Sequence, residues 1–446
     1  MVSNLENHKY LKFSNLKTLR FWDYYSLSNK SEIYSNYPLI KLHDVLVQRK
    51  DYIKIDDTKL YKRCRVKVRG QGIVLRDEVL GKDIKTKKQY LCKEDDFLVA
   101  EIDAKVGGYG IVPKELINAI VSSHYFLFEI NKGELNPEYL SILTKCEGFS
   151  KQVKATGSTN YAAIRPYHVL EYLIPLPSLE EQNRIVENYN TKTQLAIQQG
   201  EKAKQLETDI KNYLFQILGF EKLEETQKQL LQIICYSTLD RWDNSKAFTL
   251  KSTYPIKRVK EVLFDISTGT TPPTARKEYF DDGKINFYTP ADLTGKMYLV
   301  ESKRKVTQLA INDRKARKFK QDTLLFVGIG STVGKVGIIK NEYATSNQQI
   351  TGLKLDSTIA NIEFVYYYFN NFINITTKEK TQATIPIVNQ NKILNIPIPL
   401  PPIEIQKEIA DYISNLKRKI QGFKSKAIQN NELAISEFEE EIFSTI

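Results

Sequence analysis

The chain has 446 residues, 41% of them hydrophobic, more than a single core of roughly 250–300 residues accommodates, so two or more domains are expected. Its 65 basic and 53 acidic residues leave a formal charge of +12, a surplus that favours polyanionic partners wherever it gathers into patches. Four scattered cysteines (Cys64, Cys92, Cys146, Cys235) exclude a secreted disulfide framework, no run approaches the ~20 apolar residues of a membrane span, and MVSNLENHKYLKF at the start has no apolar leader core, so a cytoplasmic protein is expected.

The first landmarks along the chain are RFWD, around Trp22, and YPLIKLHDVL from Tyr37. YKRCRVKVRG follows. Strand alternation would put Arg63, Arg65, Lys67 and Arg69 on one face and Cys64, Val66 and Val68 on the other, with Arg76 shortly after. A solvated charged strand has the same pattern, but four cations with no acid among them repel one another unless a polyanion approaches. FLVAEI (97–102) and AIVSSHYFLFEI (119–130) have the aromatic and β-branched content of buried strands, and PEYLSILTKC predicts a short helix. EIDAK, Glu101 to Lys105, resembles the acid-x-Lys half of a Mg-dependent nuclease site, without a compelling upstream acid. His8, His43, His124 and His168 show no zinc-ligand spacing. ATGSTNY, from Ala155, is a polar loop.

IPLPSLEEQ, from Ile174, opens a long helix. Ser178 and Glu181 have the spacing of a capping box, and helical sequence runs from there to about Leu218. Some 40 residues at 1.5 Å each make ~60 Å, too long for a compact core. Leu206, Ile210, Tyr213 and Ile217 form a coiled-coil seam, interrupted earlier by Thr193 and Gly200. The competing reading is a solitary amphipathic helix packed on its own domain.

The second half repeats these landmarks in order: RWD at Trp242, YPIKRVKEVL at Tyr254, QDTLLFVGIGSTVGKVGII against DDFLVAEIDAKVGGYGIV, NIEFV against NPEYL, and IPLPPIEIQ at Ile398. The chain is therefore a tandem duplication of a mixed α+β unit of roughly 220 residues. A second seam follows through Ile413, Leu416, Ile420, Phe423 and Ala427. The expected boundaries are a first globular domain at 1–177, a helical spacer at 178–236, a second globular domain at 237–401 and a second long helix at 402–446. Cations of the second unit are Lys303, Arg304 and Lys305, then Arg314, Lys315, Arg317, Lys318 and Lys320 in NDRKARKFK, a run that also fits a solvated helix face. Lys335 closes VGIGSTVGK. That stretch fails the phosphate-loop pattern because Ile329 and Val336 stand where it needs Gly and Ser or Thr. STGTTPPT (267–274), SNQQIT (346–351) and TQATIPIVNQNK (381–392) supply hydroxyls and amides suited to phosphates and base edges, though turn chemistry explains the first equally well.

With its two IPLP-to-helix junctions and paired xWD starts, nearly the whole chain resembles the specificity subunit of type I restriction-modification systems. The resemblance implies two target recognition domains separated and joined by two long helices that pair antiparallel as a ruler, in a pseudo-twofold arrangement. It implies a noncatalytic, sequence-specific reader of a split, asymmetric double-stranded DNA target. Two methyltransferase subunits would bring S-adenosylmethionine for adenine methylation, and ATP-dependent restriction and translocase subunits would bring ATP and Mg chemistry; this chain itself would hold no cofactor or metal. The DNA-binding candidates are Arg63, Arg65, Lys67, Arg69 and Arg76 in the first reader and Lys303, Arg304, Arg314, Arg317, Lys318 and Lys335 in the second. The alternatives are the recognition subunit of a related type IIB- or IIG-like enzyme, a self-sufficient Mg-dependent nuclease built on EIDAK, and a coiled-coil scaffold that binds no DNA.

Overall fold

The structure is a computed structural model and describes residues 33–153, 164–220, 251–377 and 385–443. Trp22, Trp242, Cys235, His8, ATGSTNY and the first residues of TQATIPIVNQNK lie outside the described residues. The described residues of 1–199 with those of 425–446 form one compact unit, and those of 200–424 form the other.

Unit 1 opens with strand β1 (Leu39–Lys41), which pairs antiparallel with β11 (Leu173–Pro175), so that Leu39 stands opposite Pro175. IPLP thus closes the domain by returning the chain to its beginning. Between them lie β2 (Leu46–Arg49), β3 (Tyr52–Lys54), β4 (Leu60–Val66), β5 (Ile73–Leu80), β6 (Lys88–Leu91), β7 (Phe97–Ala100), β8 (Tyr109–Ile111), β9 (Ile120–Val121) and β10 (Tyr125–Ile130). They build two sheets, ordered β2-β10-β7-β8 and β3-β6-β9-β4-β5. AIVSSHYFLFEI, with the expected content of buried strands, forms two: β9 and β10 belong to different sheets, and Ser122 to His124 make the crossing between them. Helix α1 (Pro137–Leu143) is capped by the Asn136 side chain and buries Tyr139, Leu140, Ile142 and Leu143.

Unit 2 repeats this plan. Strand β12 (Ile256–Arg258) pairs antiparallel with β22 (Pro397–Pro399), again at the IPLP segment. A five-stranded sheet runs in the order β13-β21-β18-β19-β15, made of β13 (Leu263–Thr268), β15 (Tyr298–Leu299), β18 (Leu324–Val327), β19 (Val336–Ile339) and β21 (Ile350–Leu355). A four-stranded sheet runs β16-β14-β20-β17, made of β14 (Ile285–Tyr288), β16 (Arg304–Val306), β17 (Lys318–Lys320) and β20 (Tyr343–Ser346). Helix α3 (Ile362–Asn371) is capped by Asn361, as α1 is by Asn136. NDRKARKFK is not a helix face: a short helix ends at Asn312, Arg314 turns the chain with a φ of 57°, and β17 follows.

The two long helices are α2 (Leu179–Ile217) and α4 (Ile403–Ile442). In unit 1 the Tyr189 and Phe438 rings meet at 6.3 Å, Lys192 pairs with Glu437 at 2.5 Å, and Asn430 donates to Gln199 at 3.0 Å. Positions on α4 fall as those on α2 rise, which is antiparallel pairing. In unit 2 the same order holds by itself: Lys424 reaches Glu207 at 2.7 Å, and the Tyr213 and Tyr412 rings lie 4.4 Å apart. Ala203, Ile210 and Leu214 share one core with Ile409, Ile413, Leu416 and Ile420. Solitary helices are thereby excluded. Ile210 of the expected seam is fully buried, whereas Leu206, Tyr213 and Ile217 flank the core and Leu214 takes the central place.

The junction motif has a matching atomic purpose in both copies. Gln182, fully buried, donates from Nε2 to the carbonyls of Glu134 (2.8 Å) and Pro177 (2.9 Å) and accepts the Asn136 amide at 2.8 Å. Gln406 donates to Ile359 (3.0 Å) and Pro401 (2.8 Å) and accepts the Asn361 amide at 2.8 Å. One side chain thus ties the helix start to the loop that caps α1 or α3.

Only half of the expected Ser178–Glu181 capping box forms. The Glu181 amide donates to Ser178 Oγ at 3.3 Å, but the Glu181 carboxylate accepts from Arg184 and from the Tyr37 hydroxyl. Those hydrogen bonds, Arg184 first, hold the Glu181 carboxyl down at about 2 from its ordinary 4.5. Its contribution to stability is complete above pH 4.5 and is lost as pH falls toward 2. Glu181→Gln should flatten the acid limb of stability against pH in that window, read by thermal melts across a pH series.

Gly200 lies inside α2 with open space where a Cβ would stand. Gly200→Ala should therefore raise stability by about 0.5–1 kcal/mol, measured by denaturant unfolding.

Candidate nucleic-acid interface

In unit 1 the basic strand ends earlier than its alternation suggests. Cys64 and Val66 are buried and Arg65 is exposed, but Val68 is 40% exposed, because the chain turns after Val66. Lys67 closes that turn by donating its amide to the Gly72 carbonyl, and Arg69 adopts a φ of 60°. The turn is bonded to the β7–β8 loop, Arg69 N to Val106 O at 2.6 Å and Gly70 N to Gly107 O at 3.1 Å. Contact this close requires glycine at 107, where a Cβ would stand 2.8 Å from Gly70 N.

The stripe is not free of acid once its neighbour strand is in place. Arg63 grips Asp77 of β5 with two bonds of 2.7 and 2.6 Å, and this hydrogen bonding holds the Asp77 carboxyl below its ordinary value. Arg76, at 3.6 Å from the same carboxylate, is the extra residue of a β-bulge, since Arg63 stands opposite Asp77 and Cys64 opposite Leu75.

EIDAK forms the loop after β7, so it is the base on which the basic turn rests. Its Glu101 accepts from Arg165 at 2.7 Å and lies 3.0 Å from His124 Nδ1. Among the described residues no group of three or more His, Cys, Asp or Glu is placed to hold a metal ion. His124 and Arg165, both well exposed, join the Lys67 to Arg69 turn at this end of the β2-β10-β7-β8 sheet, while Arg65 lies on β4 of the other sheet. Sequence reasoning missed both; their link to Glu101 runs between residues far apart in sequence.

Unit 2 gathers its polar loops at the corresponding end of its sheet. Gly269 N donates to Ile350 O at 2.9 Å, Gly328 N to Gln349 O at 2.8 Å and Val388 N to Gly328 O at 2.8 Å. STGTTPPT, VGIGSTVGK, SNQQIT and IVNQNK therefore form one rim. Thr270 fastens the basic run to it, donating to Lys315 O and accepting the Arg317 amide, each at 2.9 Å. Arg314, Arg317 and Lys335 are exposed in the segments of this rim. Lys318 continues onto edge strand β17, with its ammonium 3.7 Å from the Tyr343 ring centroid.

Lys303 and Arg304 do not join them. They lie at β16, the opposite edge of the four-stranded sheet, roughly 14 Å away at ~4.8 Å per strand. Arg304 stacks over Phe280 and Phe287 at 5.0 and 5.4 Å.

The chain matches a family described as the type I restriction modification DNA specificity domain, twice, over residues 34–208 and 251–430. It resembles a solved chain from work on complex assembly and conformational transition of the type I R-M system, with a TM-score of 0.60 at 18% identity, covering 92% of this chain and 98% of that one. The HsdS subunit from Thermoanaerobacter tengcongensis aligns at TM-score 0.47 and 18% identity over 91% of this chain and 96% of its own. The type I S subunit from M. genitalium aligns at 0.46 and 13% identity, over 94% and 98%.

Proposed function

The chain belongs to the family of type I restriction modification DNA specificity domains, and on that premise we propose that it is the noncatalytic subunit that reads a split, asymmetric double-stranded DNA target. Each unit contributes one reader. The reading is carried by the repeated rim: in both units, exposed cations are hydrogen-bonded into loops at the same end of the same sheet. Exposed cations supply phosphate affinity, and the hydroxyls and amides between them supply groups for base edges. The rims differ in composition, charged in the described part of unit 1 and amide-rich in unit 2, so the two half-targets differ.

Half-sites read from one side of a duplex recur about one turn, ~34 Å, apart. A helix pair keeps such a spacing where a flexible linker would not. Partner methyltransferase subunits would add S-adenosylmethionine chemistry at adenine, and ATP- and Mg-dependent restriction subunits would complete a cytoplasmic defence complex. No helix among the described residues is long and apolar enough to cross a membrane.

Sequencing of methylated adenines in host DNA with and without this gene tests the reading. A split motif that vanishes with the gene is expected; methylation unaffected by the deletion overturns it. Neutralising Arg65 and Lys67 to Ala should weaken duplex binding and lower the salt slope by up to about 2, at ~0.9 per lost phosphate contact. Fluorescence anisotropy across a salt titration reads this, and an unchanged slope counts against the placement.

A further inference from the structure

Two glutamines on the unit 2 rim have each committed half of their amide. Gln348 Oε1 accepts the Thr271 hydroxyl, which leaves its NH2 without an acceptor among the described residues. Gln390 Nε2 donates to Thr268 Oγ1 at 2.8 Å, which leaves its carbonyl without a donor among the described residues. Thr268 is itself held by Thr351 at 3.2 Å. Gln348 and Gln390 line one open cavity, together with Gln349 and Asn391. The loops that carry them approach through glycine: a Cβ on Gly328 would stand 2.8 Å from Val388 O, and one on Gly269 would collide with Ser346 and Asn347.

We propose that Gln348 and Gln390 act as one split reader of an adenine base edge, the first donating and the second accepting. The inference rests on the reading of this chain as a DNA specificity subunit. In the major groove adenine shows an acceptor at N7 and a donor at N6, which a fixed donor and a fixed acceptor complement. Guanine shows two acceptors, so its O6 would face the Gln390 carbonyl oxygen. Cytosine offers only a donor there, and thymine only an acceptor with a methyl group. A single Asn or Gln ordinarily makes both bonds; here each amide is half occupied by a threonine, so two residues divide the task. As bonded in the structure, Thr271 donates to Gln348 and Thr268 accepts from Gln390, which turns a donor of one amide and an acceptor of the other toward the cavity they line.

The test uses the full chain assembled with its methyltransferase subunits and a library of randomised duplexes, with bound sequences counted for the wild type, Gln348→Ala and Gln390→Ala. The wild type should enrich a split motif; absence of any motif would fail the DNA reading itself. With the motif present, each variant should lose adenine preference at one position of one half-target by at least about fivefold, within the ~5- to 150-fold range of a good base contact. The other half-target should be unaltered. A motif unchanged in both variants overturns the proposal, as does weakening spread evenly over both halves. Placing 7-deazaadenine at that position separates the two roles. It should weaken the wild type at least about fivefold and Gln348→Ala less than twofold, because only Gln348 is assigned to N7; equal losses in both would also overturn the assignment. Thermal melts of both variants within a degree or two of wild type confirm that the rim is folded.

Discussion

Gln406→Ala should lower the stability of unit 2 by about 3 kcal/mol. The substitution removes the partner of the half-buried Asn361 amide and Ile359 carbonyl and of the buried Pro401 carbonyl, and an unpaired buried polar group costs ~1–3 kcal/mol. For a unit of this size that corresponds to a Tm lower by roughly 6–12 °C. Gln406→Glu keeps the shape but sets carboxylate oxygen against the Ile359 and Pro401 carbonyls, and should be at least as damaging. Gln182→Ala should repeat the result in unit 1, because its three partners are the equivalents in the first copy. Differential scanning calorimetry on the full chain reads both; a Tm change under ~2 °C would sink the idea that this side chain locks the helix to the reader.

Asp96→Ala should cost unit 1 about 3 kcal/mol, the lower end of what removing one partner of a buried ion pair costs, because Arg49 keeps Asp51 as a second partner at 2.5 Å. Asp96 is 2% exposed and Arg49 7%. Arg49 donates to both Asp96 oxygens and to the Leu91 carbonyl at 3.0 Å, while the Lys93 amide donates to Asp96 at 2.7 Å. Burial raises the Asp96 carboxyl above its ordinary value, and the Arg49 bonds oppose that rise. Arg49→Met combined with Asp96→Leu should cost less than the sum of the single changes, since the double change removes both buried charges together. A fully additive double-mutant cycle in urea unfolding would show that the two groups are not coupled. The second copy solves the same position without charge: Thr323 is buried there, its hydroxyl bonded to Lys320 O at 2.7 Å.

Much of the candidate site was legible as residue types but not as a place. STGTTPPT, SNQQIT and IVNQNK were each recognisable as polar loops, and the cations between them were countable. Their convergence depends on sheet order, β13 beside β21 beside β18, which pairs residues more than 80 positions apart. Lys303 and Arg304 were grouped with Lys318 because they are near in sequence, yet strand order sends them to opposite edges. The role of EIDAK was hidden for the same reason. Aligning it with VGIGSTVGK was already possible from the repeat, and that alignment marks it as a rim loop; only the fold shows Glu101 bonded to Arg165 and the loop supporting Arg69.

The sequence by itself determined the duplication, the mixed α and β units, the helix that follows each IPLP, and the identity of Gln182 and Gln406 as matched residues. These are periodic or local features, and helix propensity, turn chemistry and a repeated spacing express them within a few residues. Tertiary structure alone decided what those glutamines bond, which ends of α2 and α4 meet, where the basic strand turns, and which cations share a rim. Each of those outcomes depends on surfaces brought together from distant parts of the chain, where burial and hydrogen-bond satisfaction select the partner and no local pattern names it.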